Sequence, residues 1–96
     1  MPKGYWIARV DVQDPETYKK YVEGAAPAFK EYGARFIVRG GPMEVREGEG
    51  RARNVVIEFD SVETARACYE SKTYQDAAKY RQQAAVSDLI IVEGYA

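Results

Sequence analysis

Arg81 shares a helical stripe with Tyr74, Ala77 and Ala78, so its guanidinium is aimed toward the protein and away from water. An inward guanidinium can grip a carboxylate or another anion through paired N–H donors. It can equally be a structural tie from the helix to Glu58, Glu93 or loop carbonyls. Eight tyrosines are many for a chain of 96 residues. Tyr18, Tyr21, Tyr69 and Tyr74 fall on inward stripes, where they either pack the core with a tethered hydroxyl or line a cleft between helices and sheet. In the second case their hydroxyls, Arg81 and an apolar wall at Trp6 would suit a small, partly aromatic or keto-acid compound.

Other chemistry is limited by what is absent. With no histidine, Ser-His and Cys-His catalysis, histidine-held zinc and proximal-histidine haem are excluded, and no metal or organic cofactor is expected. Cys68 cannot form an internal disulfide and is expected to fill core space on a helix. Gly40-Gly41-Pro42 leads into an extended segment, not a helix, so it reads as a turn and not a phosphate cradle. Asp11 and Glu58 are the carboxylates most exposed to desolvation. Each is either a general base with a raised pKa or half of an ion pair with Arg9 or Arg39.

The net charge of −1 offers no field for a phosphate backbone, and the basic residues between Arg35 and Arg53 alternate with Glu44, Glu47 and Glu49. Nucleic acid is not an expected partner. No apolar run reaches the roughly 20 residues of a membrane span, and Met1-Pro2-Lys3-Gly4 leads directly into a strand pattern. A cytoplasmic protein without membrane contact is expected, with residues 1–96 forming one domain.

The elements that must position these residues follow from periodicity. Tyr5 to Val12 alternates as a strand. Asp14-Pro15-Glu16 supplies an N-cap and a first-turn proline, and an amphipathic helix runs to a stop at Gly33, with Pro27 predicting a kink or break. Arg35 to Arg39 alternates again, Asn54 to Phe59 is a third strand core, and Met43 to Arg53 is expected to join them as an extended hairpin. Ser61 or Asp60, and then Ser71 or Thr73, cap further helical segments before a last strand from Asp88 to Gly94. Ile7-Ala8-Arg9-Val10-Asp11 matches Val56-Ile57-Glu58-Phe59-Asp60, and Phe36-Ile37-Val38-Arg39-Gly40 matches Ile90-Ile91-Val92-Glu93-Gly94. Two such β-α-β halves make an α+β, ferredoxin-like βαββαβ fold, a four-stranded antiparallel sheet with its helices on one face.

Alternation assigns Trp6, Ala8, Val10, Phe36, Val38, Val55, Ile57, Phe59, Ile90 and Val92 to the helix-covered face. The other face receives Tyr5, Ile7, Arg9, Asp11, Ile37, Arg39, Val56, Glu58, Leu89, Ile91 and Glu93. That second set is too apolar for water and too charged for a simple core. A homodimer that joins two such faces, with Arg9, Asp11, Arg39, Glu58 and Glu93 as its buried charges, accounts for the mixture.

The Tyr-Trp-Ile-Ala-Arg start at Tyr5, Asp14-Pro15-Glu16-x-Tyr18-x-x-Tyr21, Val38-Arg39-Gly40-Gly41, Glu47-Gly48, Ile57-Glu58-Phe59, Tyr69-x-Ser71-x-x-Tyr74, Arg81 and Val92-Glu93-Gly94 together resemble the domain of unknown function 1330 family. That family lies within the dimeric α+β barrel superfamily. The resemblance implies the dimeric barrel but no particular reaction, because the wider superfamily holds cofactor-free oxygenases, haem-dependent enzymes, isomerases and proteins with no known reaction. Two readings follow: a non-catalytic homodimer that binds a small metabolite, or a cofactor-free enzyme of oxygenase or isomerase type. An enclosed cavity above roughly 300 Å³ bordered by Arg81, Tyr74 and a carboxylate would favour the enzyme.

Overall fold

A computed structural model describes residues 2–95. The chain order is β1 (Gly4–Val12), α1 (Pro15–Glu31), β2 (Arg35–Arg39), β3 (Arg53–Phe59), α2 (Val62–Glu70), α3 (Lys72–Ala84) and β4 (Ala85–Glu93). The strands pair antiparallel in the order β2-β3-β1-β4, with the α1, α2 and α3 helices over one face. This is the expected ferredoxin-like layout.

Local chemistry explains the boundaries. The Asp14 carboxylate accepts from the Thr17 amide at 3.2 Å to open α1, and Pro15 follows where no amide is needed. Gly33, at φ 67°, closes α1: its amide donates to Lys30 O, and the Ala34 amide donates to Phe29 O. Ser61 caps α2. Ser71 both accepts from the Tyr74 amide and donates to Cys68 O, so one hydroxyl ends α2 and starts α3.

The expected break at Pro27 does not occur: α1 is continuous to Glu31. Pro27 and Glu23 are both exposed, so the carbonyl that loses its helical donor is left to water and not buried. Residues 40–52 form no strand, which corrects the extended hairpin, and β4 begins at Ala85 instead of Asp88.

Register shows which side chains share a face. Beneath the helices run the rows Phe36, Ile57, Trp6, Ile91, then Arg39, Val55, Ala8, Leu89, then Arg53, Val10, Ser87. On the open face Val38, Val56, Ile7 and Ile90 form one row across all four strands, beside Arg35, Glu58, Tyr5 and Val92. Seven placements differ from the alternation reading. A bulge between Phe36 and Val38 shifts the strand by one residue, which sends Val38 to the open face and Arg39 beneath the helices. In β4, Leu89 and Ile91 pack against the core, whereas Ile90 and Val92 are open. Glu93 pairs with Gly4 on the helix side, so neither Arg39 nor Glu93 belongs to the open-face charges.

Gly4 lies under the start of α2, where a Cβ would sit 2.5 Å from the Ser61 carbonyl oxygen. Backbone cannot move aside as a flexible side chain can. Gly4→Ala is therefore expected to cost about 1–3 kcal/mol in urea denaturation. An unchanged midpoint would show that the β1–α2 contact is looser than this geometry.

Candidate functional site

A cleft opens between α1 and the sheet, with about 40 Å³ of free space. Trp6, Ala8, Val10, Val55, Ile57 and Leu89 form its floor; Tyr18, Tyr21, Val22 and Phe29 from α1 form its roof. Arg39, Arg53, Arg81 and Ser87 supply its polar groups. Arg81 is 8% exposed, and its guanidinium donates to Ser87 Oγ at 2.6 Å and, over a longer 3.5 Å, to the Tyr74 hydroxyl. Tyr74 in turn shares a 3.0 Å hydrogen bond with Tyr21.

Each cleft arginine lies against a ring. The centroid distances are 4.1 Å for Arg39 over Phe36, 5.6 Å for Arg53 over Tyr18 and 5.5 Å for Arg81 over Tyr21. Among the described residues none of the three has a carboxylate within ion-pair distance. Gly40, at φ 68°, makes room for Arg53, because a Cβ there would meet its Nη1 at 2.5 Å.

Of the expected site residues, Arg81, Tyr18 and Trp6 border this cleft. Tyr74 and Tyr69 do not: both stack behind Trp6, at 4.9 and 5.8 Å. Arg81 ties to Ser87 and not to Glu58 or Glu93. Sequence reasoning missed Arg53 and Ser87: parity held the signal for Arg53, which alternates with Val55 and Ile57, whereas the inward side of β4, and so of Ser87, shows only in its pairing with β1.

The open-face carboxylates also find partners, but different ones from those expected. Glu58 accepts from Arg35 at 2.8 Å and from the Tyr5 hydroxyl at 3.1 Å. Asp11 accepts from Arg51 at 2.7 Å and from the Ala52 amide at 3.1 Å, and Arg51 reaches Asp88 at 2.9 Å. Arg9 donates to Glu49 O at 3.3 Å beside a wide hollow of about 440 Å³ under residues 43–50.

A family model described as "Domain of unknown function (DUF1330)" matches residues 3–95. The chain belongs to this family. The DUF1330 chain is similar in structure to the RPA0582 protein of unknown function from Rhodopseudomonas palustris, at TM-score 0.80 and 22% identity over 99% of this chain and 84% of that one. It is also similar to SnoaB from Streptomyces nogalater, a cofactor-independent oxygenase, at TM-score 0.68 and 12% identity over 100% of this chain and 96% of that one. A dimeric ferredoxin-like protein of unknown function from Bacteroides fragilis matches at TM-score 0.63 and 11% identity over 95% of each chain. No curated protein matches the sequence. These identities establish the fold and leave chemistry to the residues.

The titratable groups of this DUF1330 chain are set against proton transfer at the cleft. Burial pushes the Tyr21 phenol well above its ordinary value, and the neighbouring Tyr74 adds to it; burial raises Tyr74 likewise. Both stay protonated near neutrality; one hydroxyl donates to the other, and Tyr74 also accepts from Arg81. Burial pushes the Cys68 thiol up to about 12, so it is no nucleophile. Asp11 is lowered by the Ala52 amide first and by Arg51 second; Glu58 is lowered chiefly by Arg35. The general-base alternative for these two carboxylates therefore fails in direction, since a base near neutrality needs a raised pKa.

Because the folded-state pKa of Asp11 is depressed, its contribution is present above the ordinary value of about 4 and is lost as pH falls through the lower folded value. Arg51→Gln should be less stable than the parent at pH 7, with the difference shrinking below about pH 4. Paired denaturation curves across pH 2–7 check this. A difference that stays constant would assign Arg51 a packing role and not an ionic one.

Proposed function

We propose that this chain is a homodimeric small-molecule-binding domain with the cleft beneath α1 as its site, catalysing no reaction of its own. The observation that carries this reading is the cleft itself: aromatic walls, three arginines, and no carboxylate or other group among its described lining residues suited to take a proton near pH 7. The cleft's free space of about 40 Å³ is far below the roughly 300 Å³ of an open ligand pocket, so a ligand enters only by displacing water and moving side chains. The buried, reduced Cys68 fits a cytoplasmic setting. No helix is long and apolar enough to cross a membrane among the described residues.

The dimer rests on the open sheet face. Ile90 is 55% exposed and Val38 43%, within an apolar row flanked by the Arg35–Glu58 and Arg51–Asp11 pairs. A second copy across a two-fold axis would bury the row and leave the charge pairs at its margins, where desolvation costs less. The Bacteroides fragilis protein of this fold is described as dimeric, which supports a dimer.

A cofactor-free enzyme of oxygenase or isomerase type is the second reading. SnoaB shares the fold, and the Tyr21–Tyr74–Arg81 hydrogen-bond chain beside the cleft could stabilise negative charge on a bound substrate. It requires a substrate acidic enough to ionise without a protein base.

Native mass spectrometry of the purified protein is expected to give a dimer, and Ile90→Lys a folded monomer. A parent monomer, or an Ile90→Lys dimer as tight as the parent, would remove the sheet face as the contact. Extra mass of a few hundred daltons retained per subunit would identify the metabolite. Turnover of that compound by the parent would replace the binding reading with the enzymatic one.

A further inference from the structure

Among the described residues, two guanidinium groups hold a buried donor without a hydrogen-bond partner. The Nε atoms of Arg53 and Arg81 are both shielded from solvent and lack a hydrogen-bond partner, and both residues border the cleft. A buried charged donor without an acceptor costs more than an ordinary hydrogen bond returns, so an acceptor is expected at this place. The two residues are set by one row of the sheet: Arg53 and Ser87 lie on either side of Val10, and Arg81 donates to Ser87. Two strand spacings put the Arg53 and Ser87 backbones roughly 10 Å apart. Arg39, in the adjacent row, adds a third positive charge at the exposed edge.

The way these charges are held also matters. A ring face attracts the flat side of a guanidinium and leaves its in-plane N–H groups free, whereas an acidic partner would occupy them. On the open face the opposite holds, since Arg35 and Arg51 each engage two carboxylates. The cleft therefore carries three positive charges and no acid among its described lining residues, in a chain whose net charge is −1.

We infer that the cleft takes a small organic carboxylate with a flat apolar body, its carboxylate on the Arg53 and Arg81 donors and its body against Trp6, Val10 and Tyr21. This inference rests on the binding reading and specifies the ligand class. A phosphate ester fits less well, because its strongly hydrated dianion would lie against aromatic and aliphatic walls. The free space holds roughly three waters at 10–15 Å³ each, so a ring enters by displacing them and swinging the exposed Arg39 off Phe36.

Trp6 is the single tryptophan and lines the cleft, so its emission reports occupancy directly. The dimeric protein is titrated with benzoate, with benzyl alcohol as the uncharged counterpart and with inorganic phosphate. Saturable benzoate binding is expected, about tenfold or more tighter than benzyl alcohol and weakened by a similar factor in Arg53→Gln. Arg81→Lys keeps the charge but loses the fork, and should weaken benzoate while leaving benzyl alcohol unchanged. If Arg53→Gln fails to fold by circular dichroism, Arg39→Gln, at the exposed edge, takes its place with the same expected direction. Equal binding of benzoate and benzyl alcohol would overturn the carboxylate assignment and leave the cleft as an apolar site. Phosphate binding as tight as benzoate would overturn the apolar body. No response to any of the three would overturn the cleft as a binding site altogether.

Discussion

Trp6 sets the distance between the helical layer and the sheet. It projects from the central strand, is fully buried, and meets a ring from each helix: Phe29 at 5.4 Å, Tyr69 at 5.8 Å and Tyr74 at 4.9 Å. Its indole N–H donates to Ala65 O at 2.9 Å, so the polar edge is satisfied without water. By contrast α1 and α3 approach each other through small residues; a Cβ on Gly24 would lie 3.2 Å from that of Ala77. The helices are thus close to one another and held off the sheet by aromatic side chains. Where those rings give out, over Ala8 and Val10, the floor is too small to fill the gap below Tyr18 and Tyr21, and the cleft is what remains.

Arginine serves two different purposes on the two faces of this sheet. Arg35 and Arg51 neutralise carboxylates at opposite ends of the open face; Arg35 chiefly lowers the pKa of Glu58, and the Ala52 amide, then Arg51, lowers that of Asp11. In the cleft the arginines stack on rings and retain their charge without compensation. Only the second arrangement leaves the electrostatic work unfinished. A protein that ordered all its charges for stability alone would not bury Arg81 with Ser87 and Tyr74 as its hydrogen-bond partners.

The sequence made the architecture readable because each level agreed with the others: alternation in β1 and β3, a capping residue before each helix, and a half-repeat that forced the two β-α-β units. The cleft was half readable. Helical spacing placed Tyr18 and Arg81 inward and strand alternation placed Trp6, but Arg39 depended on a bulge that no parity argument detects, since Phe36-Ile37-Val38-Arg39 reads as unbroken alternation. In β4 the run Leu89-Ile90-Ile91-Val92 is apolar throughout and has no period of two to read; only pairing with β1 shows which members face inward. Tyr69 and Tyr74 failed as cleft residues for another reason. Inward helical spacing separates core from solvent but does not separate a wall from what stands behind it.

The bulge in β2 links the two faces that the function needs. Under regular pairing from Phe36, Ile37 would oppose Val56, Val38 would point into the cleft opposite Val55, and Arg39 would lie on the open face opposite Asn54, in the row of Arg9 and Asp88. The open face would then carry a second arginine in the row of Arg9, and the cleft would lose its outermost charge. With the bulge, Val38 completes the apolar row and Arg39 joins Arg53 beneath the helices. One inserted residue in an edge strand thus moves Arg39 from the open face to the cleft, at a position where an unpaired backbone group can still reach water. Val38 and Arg39, neighbours in β2, face the proposed dimer contact and the cleft respectively, so this one strand borders both.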